Sequence, residues 1–251
     1  MISIKNEHEL EAMREACKIT AAARALAGKM VRPGVSTKAI DQAVHDYIVS
    51  QGAKPSFLNY SGFPASACIS VNSTVIHGIP GHYILRDGDI VSVDVGAYYK
   101  GFHGDCAATY ACGSISTEAQ KLIDVTRQSF FEGIKKAVAG NHLFDISNAI
   151  ADYVEPFGYG IVEELVGHGI GHALHEDPQI PNFRQKRKGI RLMPGMTLAI
   201  EPMINIGRPD VEWLDDDWTV VTEDGSLSAH YENTILINEE GEPDILTLGH
   251  V

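Results

Sequence analysis

Two aspartates within one predicted β-hairpin constrain this chain more than any other feature. From Val91 to Thr109 the sequence alternates β-branched residues, passes through a Tyr-Tyr-Lys-Gly turn and resumes as a second strand after Gly104, which is typical of a hairpin. Asp94 falls inside the first strand and Asp105 opens the second. Carboxylates are depleted in strands and cost several kcal/mol when they are buried without partners. The pair predicts a compensating cation, whereas one such aspartate alone would more often satisfy the amides of a turn.

Composition excludes several classes of function. A formal net charge of -13 over 251 residues argues against binding to nucleic acid through bulk charge. The first residues contain no apolar segment typical of a signal peptide, and the sequence has no apolar run long enough to span a membrane. A C-x-x-C motif is absent from the spacing of the four cysteines, Cys17, Cys68, Cys106 and Cys112. We therefore predict a cytoplasmic protein with reduced thiols, no membrane partner and no specific nucleic-acid partner.

The pattern of helices repeats along the chain. Capping residues and apolar stripes predict helices over 6–30, 36–52, 117–140 and a segment that ends at 158. A shift of 106 positions gives six identities in the nineteen positions 34–52, and a shift of 107 places Asp94 on Glu201. We predict one domain over 1–251 with two similar halves, at about 7–112 and 117–237, and a shared site in the cleft between them.

The second half supplies further candidates for metal ligands. They are His168, Glu201, which follows an apolar stretch, and Glu232, which precedes one. Four acids in one cleft repel one another unless cations meet their charge, and two divalent ions would balance four carboxylates. Oxygen ligands mixed with one imidazole favour Mn, Fe, Co or Zn over a hydrated Mg site. The motifs H-E-x-x-H, G-x-S-x-G and Walker A are absent from the sequence, so the commonest protease, esterase and nucleotide-binding mechanisms are not indicated.

These residues resemble the metal and catalytic set of the methionine aminopeptidases, which are "pita-bread" metallopeptidases. The resemblance covers about 7–237, and its specific part is the ordered set Asp94, Asp105, His168, Glu201 and Glu232, with His77 and His175. Only 32 residues separate His168 from Glu201, which leaves no space for the helical insertion of type II enzymes. The resemblance is therefore to the bacterial type I enzymes. It implies an α+β fold, with an antiparallel sheet, helices on its outer face and internal pseudo-twofold symmetry.

The resemblance also implies a reaction. The enzyme would use two divalent ions (Co, Mn, Fe or Zn) to remove the initiator methionine from nascent proteins, preferably before a small second residue. Asp94 would bind one ion and His168 with Glu201 the other, while Asp105 and Glu232 would bridge them. Glu201 would also handle the proton of the attacking water. His77 would lie near the scissile nitrogen, and His175 would stabilise the tetrahedral intermediate.

By the same resemblance, a pocket for methionine would be formed by Tyr60, Phe63, Cys68, His77, Leu174, His175 and Trp218. Two positions depart from the usual pattern: Leu174 stands where relatives often carry Phe, and Gly96 where many carry Thr. Backbone carbonyls would hold one monovalent cation, Na or K, at Asn72, Thr74 and Ser228.

Two other functions are compatible with parts of this pattern. An Xaa-Pro aminopeptidase or dipeptidase shares the five ligands, but such enzymes usually carry a large extra N-terminal domain. A binding module that has lost its metals is disfavoured because all five ligands are present. The segment from Arg184 to Arg191 contains five of the twenty basic residues. We interpret it as a solvated loop, with docking near the ribosomal exit tunnel as the alternative hypothesis.

Overall fold

The two N-terminal helices begin and end where their capping residues predict. In the computed structural model, which describes residues 2–248, α1 spans Glu7–Met30 and α2 spans Thr37–Ser50. The Asn6 side chain accepts a hydrogen bond from the Glu9 amide, while the Glu9 carboxylate accepts one from the Asn6 amide. This capping box satisfies donors that the first turn of a helix leaves free. The side chain of Ser36 caps α2 in the same way, by accepting from the amide of Ala39.

The second pair of helices confirms the predicted repeat of helices but not all of its boundaries. They are α3 (Thr117–Ile134) and α4 (Leu143–Val154). The helix starts at Thr117 as predicted, but its cap is Ser116, which accepts a hydrogen bond from the Ala119 amide, and not Thr117 itself. The predicted end at Gly140 is wrong. The amide of Gly140 instead bonds to the carbonyl of Leu192, a partner distant in sequence.

The strands in the described part of the chain form four antiparallel sheets. In chain order the strands are β1 (Lys54–Pro55), β2 (Ala67–Val71), β3 (Thr74–Ile76), β4 (Ile90–Tyr99), β5 (Phe102–Ala111), β6 (Gly160–Ile161), β7 (Gly167–Gly169), β8 (Glu176–Ile180), β9 (Thr197–Ile200), β10 (Met203–Asn205), β11 (Val211–Trp213), β12 (Val220–Thr222), β13 (Ser228–His230), β14 (Asn233–Leu236) and β15 (Asp244–Ile245). One sheet joins β1, β2 and β5 to β4, and the largest has the order β15-β14-β9-β7-β8. The smaller sheets have the orders β13-β10-β6 and β11-β12-β3.

The hairpin formed by β4 and β5 carries both aspartates. Its turn consists of Lys100 and Gly101, both with positive φ (49° and 92°), as a two-residue turn of type I′ requires. Because this turn is so short, β5 already begins at Phe102, and the predicted start after Gly104 is wrong. Gly104 lies within the strand, and the position requires glycine because α1 passes close to it. An added Cβ would lie 2.8 Å from Cys17 Cα.

Each pair of helices packs on sheet residues through its apolar face. The first buried cluster combines α1 and α2 with β2 and β4, through Ala27, Ile40, Val44, Ile69, Val91 and Val93. The second combines α3 and α4 with β9 and β14, through Leu122, Phe130, Ile146, Ile150, Leu198 and Ile235. The helices in residues 2–248 include none that is both long and apolar enough to cross a membrane.

Hydrogen bonds join β5 to the segment that leads into β14. The amide of Glu232 donates to the carbonyl of Ala107 (2.9 Å), and the amide of Ala107 donates back to Glu232 (3.3 Å). The hydroxyl of Thr234 accepts from the Asp105 amide and donates to the Asp105 carbonyl. These bonds bring Asp105, from the first helix-and-sheet unit, beside Glu232 from the second.

Candidate metal centre and substrate pocket

The residues predicted to bind metal, to act in catalysis and to form the pocket line one cavity of about 160 Å³. Its lining is Phe57, Tyr60, Phe63, Cys68, Ile76, His77, Asp94, Asp105, Leu165, Val166, His168, Leu174, His175, Glu201, Trp218 and Glu232. The structure thus brings together groups that lie more than 170 positions apart in the sequence, from Tyr60 to Glu232. Phe57, Ile76, Leu165 and Val166 were not predicted to belong here, because as isolated apolar residues they carry no local signal of a pocket.

Strand pairing places the acids. In the hairpin, Asp105 pairs with Gly96 and Asp94 with Ala107, so the two aspartates are diagonal neighbours on one face. In the largest sheet, Ile200 of β9 pairs with Asn233 of β14. Glu201 directly follows the first of these strands and Glu232 directly precedes the second, so antiparallel pairing brings both to the same end of the sheet. All four acids are buried.

His168 presents one free ring nitrogen to this cluster of acids. It lies in β7, and its Nδ1 is 2.8 Å from the carbonyl oxygen of Gly169, to which it donates. The proton is thereby held on Nδ1, which leaves the lone pair of Nε2 available. Nε2 lies 3.5 Å from Glu201 Oε1 and 3.9 Å from Asp105 Oδ2. Such a geometry suits a shared cation better than direct hydrogen bonds.

The acids fit the demands of a cation site. Within residues 2–248, buried oxygens of Asp94, Asp105 and Glu232 have no hydrogen-bond partner, although buried polar atoms are normally paired. Ligand atoms of Asp105, His168 and Glu232 lie within 4.8 Å of one another, and the same holds for Glu201, His230 and Glu232. Carboxylate oxygens with imidazole nitrogens form the donor set of Mn, Fe, Co and Zn. We conclude that the residues present fit divalent metal ions.

Burial determines the protonation of these groups when no cation is present. It raises the pKa of Asp94 to about 7. Together with the negative charge of neighbouring carboxylates, burial also raises the pKa of Asp105, Glu201 and Glu232 well above the usual range. In contrast, burial lowers the pKa of His168 to about 3, which keeps this imidazole neutral. Divalent cations would reverse the shifts of the carboxylates, because they favour the ionised form.

Two further histidines line the cavity away from the acids. The phenol of Tyr60 lies 2.7 Å from Nδ1 of His175, and the ring centroids of His175 and His168 are 4.3 Å apart. His77 has a positive φ of 58°, a strained conformation that is enriched at functional sites. Burial lowers the pKa of His77 to about 4 and also lowers the pKa of His175. Both rings are therefore neutral near pH 7.

The apolar part of the cavity is built from aromatic rings. The ring of Trp218 makes edge contacts with Phe63, at 5.1 Å between centroids, and with His77, at 6.0 Å. The acidic segment 213–218, which is largely exposed, contributes to this arrangement, because the Asp216 carboxylate accepts hydrogen bonds from the amides of Trp218 and Thr219. Cys68 lies in β2, where it pairs with Asp94 of β4. A pocket with apolar walls therefore lies directly beside the acids.

Comparison with known proteins agrees with this geometry. The model of metallopeptidase family M24 matches residues 11–239. The chain belongs to metallopeptidase family M24, on its methionine aminopeptidase branch. It is 55% identical to a methionine aminopeptidase of Clostridium perfringens, over 99% of both chains. The crystal structure of a methionine aminopeptidase from Thermotoga maritima superposes with a TM-score of 0.96 at 43% identity and covers 98% of this chain and 99% of that one.

A more distant solved structure shares the fold alone. The prolidase from Pyrococcus horikoshii has a TM-score of 0.80 and 23% identity, and the match covers 98% of this chain but 64% of that one. These neighbours confirm the predicted pita-bread architecture, of α+β content with antiparallel sheets. The prediction of a type I methionine aminopeptidase is confirmed at the level of the family.

The structure explains one departure of this M24 chain from the pattern of its relatives. A Cβ atom at Gly96 would lie 2.8 Å from Cε1 of Phe57 and 2.8 Å from Cβ of Ser56, closer than real Cβ atoms approach. Phe57 itself lines the cavity. The space that a larger residue at 96 would occupy is therefore filled by the ring of Phe57 and the side chain of Ser56.

The segments predicted to hold a monovalent cation are adjacent. The carbonyl of Asn72 accepts a hydrogen bond from the amide of Ser228 (3.0 Å), and Thr74 begins β3 two residues later. The Asn72 side chain donates to Asp89 and accepts from the amide of Ile90, which fixes the turn. The monovalent site itself stays a prediction.

Internal ion pairs reduce the free charge of the basic segment 184–191. Arg184 lies 2.6 Å from a carboxylate oxygen of Asp152 and 2.7 Å from one of Glu155. Arg191 donates to the carbonyl of Gly140 at 2.7 Å. All five basic residues of the segment are exposed, but within residues 2–248 only Lys186, Arg187 and Lys188 among them have side chains without an ion pair or hydrogen bond.

Proposed function

We propose that this chain is a metal-dependent methionyl aminopeptidase that uses two divalent ions and removes the initiator methionine from nascent proteins. The observation that carries the proposal is the convergence of four buried acids and His168 on a cavity whose other wall is apolar. A cation cluster beside a pocket of that kind can hold a free N-terminus and the methionine side chain together. A small second residue is expected to be preferred, as the resemblance to the type I enzymes implies.

The metal ligands are assigned as follows. Asp94 would bind one ion, His168 and Glu201 the other, and Asp105 with Glu232 would bridge both. Bound there, the cations would supply Lewis acidity, lowering the pKa of a water molecule and polarising the carbonyl of the scissile bond. The donor set suits Mn, Fe, Co or Zn. Support comes from the orphaned buried oxygens and from the fixed tautomer of His168.

The side chains of the cavity would carry out the remaining steps. Glu201 would accept the proton of the attacking water and return it to the leaving amine. His175 would donate a hydrogen bond from Nε2 to the carbonyl oxygen as negative charge develops there. His77 would lie beside the scissile nitrogen and orient it. The contact between Tyr60 and His175 supports this assignment, because it leaves Nε2 of His175 directed away from Tyr60.

The methionine side chain would occupy the apolar part of the cavity. Its walls are assigned to Tyr60, Phe63, Cys68, His77, Leu174, His175 and Trp218. Aromatic and thiol surfaces suit a polarisable thioether. We also assign the carbonyls of Asn72, Thr74 and Ser228 to one monovalent cation, Na or K, which would stabilise the turn behind the hairpin.

The organisation and location of the enzyme complete the proposal. Residues 1–251 would form one catalytic domain with similar halves at about 7–112 and 117–237, each contributing acids to the shared site. The activity would reside in the cytoplasm, where chains bearing an initiator methionine emerge. The four cysteines are buried free thiols, which is consistent with a reducing compartment.

Hydrolysis of two peptides tests this function. Metal-free protein is supplied with Mn²⁺ or Co²⁺ and given Met-Ala-Ser or Ala-Pro-Ala in parallel. Release of methionine from the first peptide alone, dependent on added metal, is the expected result. Cleavage of Ala-Pro-Ala in preference to Met-Ala-Ser would instead identify an Xaa-Pro peptidase. A Met-X-Ser series then measures how strongly the rate falls as residue X becomes larger.

The exposed lysines and arginine at 186–188 support a second element of the proposal, docking to the ribosome. RNA phosphates attract clustered cationic side chains at low ionic strength. Replacing Lys186, Arg187 and Lys188 by Ser should reduce co-sedimentation with ribosomes at low salt. Arg184→Ser is the matched control, because Asp152 and Glu155 already pair with that guanidinium. Unchanged co-sedimentation of a quadruple variant, in which Arg191 is replaced as well as Lys186, Arg187 and Lys188, would end the docking hypothesis.

A further inference from the structure

A second buried imidazole, that of His230, also faces the acids. Its Nε2 lies 3.9 Å from Glu201 Oε2 and 3.8 Å from Glu232 Oε2, while His168 approaches the other carboxylate oxygen of Glu201 at 3.5 Å. The carboxylate of Glu201 is thus held between two imidazoles. His230 is 1% exposed, so it acts on its neighbours and does not meet substrate directly.

The backbone of His230 is fixed on both sides. Its amide and carbonyl both bond to the hydroxyl of Thr109, each at 2.9 Å, and within β13 the residue pairs with Met203 of β10. These bonds fix the backbone that carries the ring, and the ring itself is enclosed because His230 is buried. A side chain fixed in this way can orient its neighbours.

The carboxylates of Glu201 and Glu232 need such a neighbour. The side-chain donors near these two residues bond to backbone carbonyls and not to the carboxylates. Asn182 donates to the carbonyl of Glu201, and Arg24 donates to the carbonyl of Glu232. No hydrogen bond from residues 2–248 reaches either carboxylate group. Carboxylates that bind metal are themselves usually held by hydrogen bonds from outside the ligand set. Among the described residues, His230 is the imidazole that faces both carboxylates without being one of the proposed ligands.

The surroundings of the ring determine its tautomer. In the neutral form of an imidazole one nitrogen carries the proton and the other does not. Neither ring nitrogen of His230 has a hydrogen-bond partner in the described part of the chain, but Nε2 faces two carboxylate oxygens, at 3.8 and 3.9 Å. A buried N–H without an acceptor is rare, so the proton belongs on Nε2. The arrangement is opposite to that of His168, whose Nδ1 proton is bound to Gly169.

We propose that His230 is a positioning residue, which directs an Nε2–H donor at Glu201 and Glu232 and thereby orients both carboxylates toward their cations. The proposal rests on the proposed function, in that the two glutamates are taken to be metal ligands. Ionised by bound metal, each carboxylate keeps a lone pair for this donor. The distances of 3.8 and 3.9 Å are longer than a hydrogen bond, and we expect at least one of them to shorten when metal is bound.

Ring-nitrogen NMR tests the tautomer without altering the protein. The zinc-loaded protein is labelled with ¹⁵N-histidine, and the His230 ring is identified by its loss in the His230→Gln variant. The expected spectrum has a proton on Nε2 of His230 and no metal bound to that ring. Metal on Nε2, or a proton on Nδ1, would overturn the proposal and make His230 a ligand or a bystander.

Titration with Mn²⁺ alone tests the consequence. By calorimetry on metal-free protein, His230→Leu should weaken binding by about 10- to 100-fold, the usual effect of removing such a partner. His230→Gln keeps an N–H donor and should recover most of the affinity. His45→Leu, on α2, is the matched control and should bind as the wild type does. Circular dichroism verifies that each variant folds, and if His230→Leu does not, the ring-nitrogen spectrum decides.

Different outcomes would overturn the proposed function and the positioning role of His230. A wild-type protein that binds no Mn²⁺ would overturn the proposed function together with this inference. A wild type that binds Mn²⁺, with His230→Leu binding equally tightly, would overturn only the positioning role of His230.

Discussion

The phenol oxygen of Tyr60 lies 2.7 Å from Nδ1 of His175. Burial raises the pKa of Tyr60 and lowers that of His175. The phenol therefore keeps its proton and donates a hydrogen bond to Nδ1. The proton of the neutral imidazole is then on Nε2, the nitrogen that the proposed function assigns to the substrate carbonyl. The next residue, Glu176, is anchored by a partly buried ion pair with Lys5 at 2.6 Å. The tautomer and the loop position of His175 are therefore both set by residues distant in sequence.

Tyr60→Phe tests this relationship, because it removes the hydroxyl and keeps the ring in the pocket. A neutral hydrogen bond contributes about 0.5–1.5 kcal/mol, so we expect kcat to fall by about 2- to 10-fold. KM for a Met-Ala-Ser peptide should change little. Tyr153→Phe, on α4, is the control and should leave both constants unchanged. A Tyr60→Phe variant with wild-type kcat would show that the hydroxyl does not orient His175.

His175→Ala should reduce turnover much more than it reduces metal content. Loss of a donor to developing oxyanion charge costs about 10²–10³ in kcat, and His175 is not among the proposed ligands. Steady-state kinetics and elemental analysis of the same preparation provide both numbers. A variant that loses its metal before its activity would contradict the assignment.

Glu201→Gln should leave the fold intact and lower kcat by at least about two orders of magnitude, the usual contribution of a general acid or base. The amide has nearly the shape of the carboxylate but cannot take up a proton from water. Activity is measured at a saturating concentration of metal, so that weaker metal binding by the variant is not mistaken for a slower chemical step. Unaltered turnover would refute the role of Glu201 in proton transfer.

Local signals made much of this molecule predictable. Asp94 and Asp105 could be identified as site residues because carboxylates within apolar strands are anomalous, and a cation accounts for them. The start of α1 was predictable because Asn6 and Glu9 cap it through bonds only three residues long. The internal repeat and the neighbouring apolar stretches indicated Glu201 and Glu232 as candidates, but their separate roles required the resemblance to a family, since the pairing that brings Glu201 beside Glu232 is not local.

What could not be predicted depends on contacts between distant segments. His230 looks like an ordinary core histidine in the sequence, and only its distances to Glu201 and Glu232 reveal a role. The one available signal was its position two residues before Glu232, on the same face of an extended segment. Arg24 likewise looks like a surface residue of α1. In the structure it is buried and donates to Ala107, Glu232, Asn233 and Thr247.

The metal-free protein should lose stability as the pH rises above about 7. Asp105, Glu201 and Glu232, whose pKa values are raised well above the usual range, bind more protons in the folded than in the unfolded chain, and Asp94 does so up to its pKa of about 7. Stability that depends on those protons is lost as pH rises through the folded pKa values. The buried histidines, His168 and His230, have pKa values lowered to about 3. They are neutral in both states above roughly pH 7 and do not offset this loss.

Thermal unfolding of metal-free protein between pH 7 and 9 measures this dependence. Each acid that titrates differently in the two states contributes up to about 1.4 kcal/mol per pH unit, so the melting temperature should fall steadily. Protein saturated with Mn²⁺ should show no such slope, because the cations keep the carboxylates ionised in the folded state. Equal stability of the metal-free protein at pH 7 and pH 9 would mean that the acids are already paired without metal. That outcome would remove the electrostatic reason for a two-cation site.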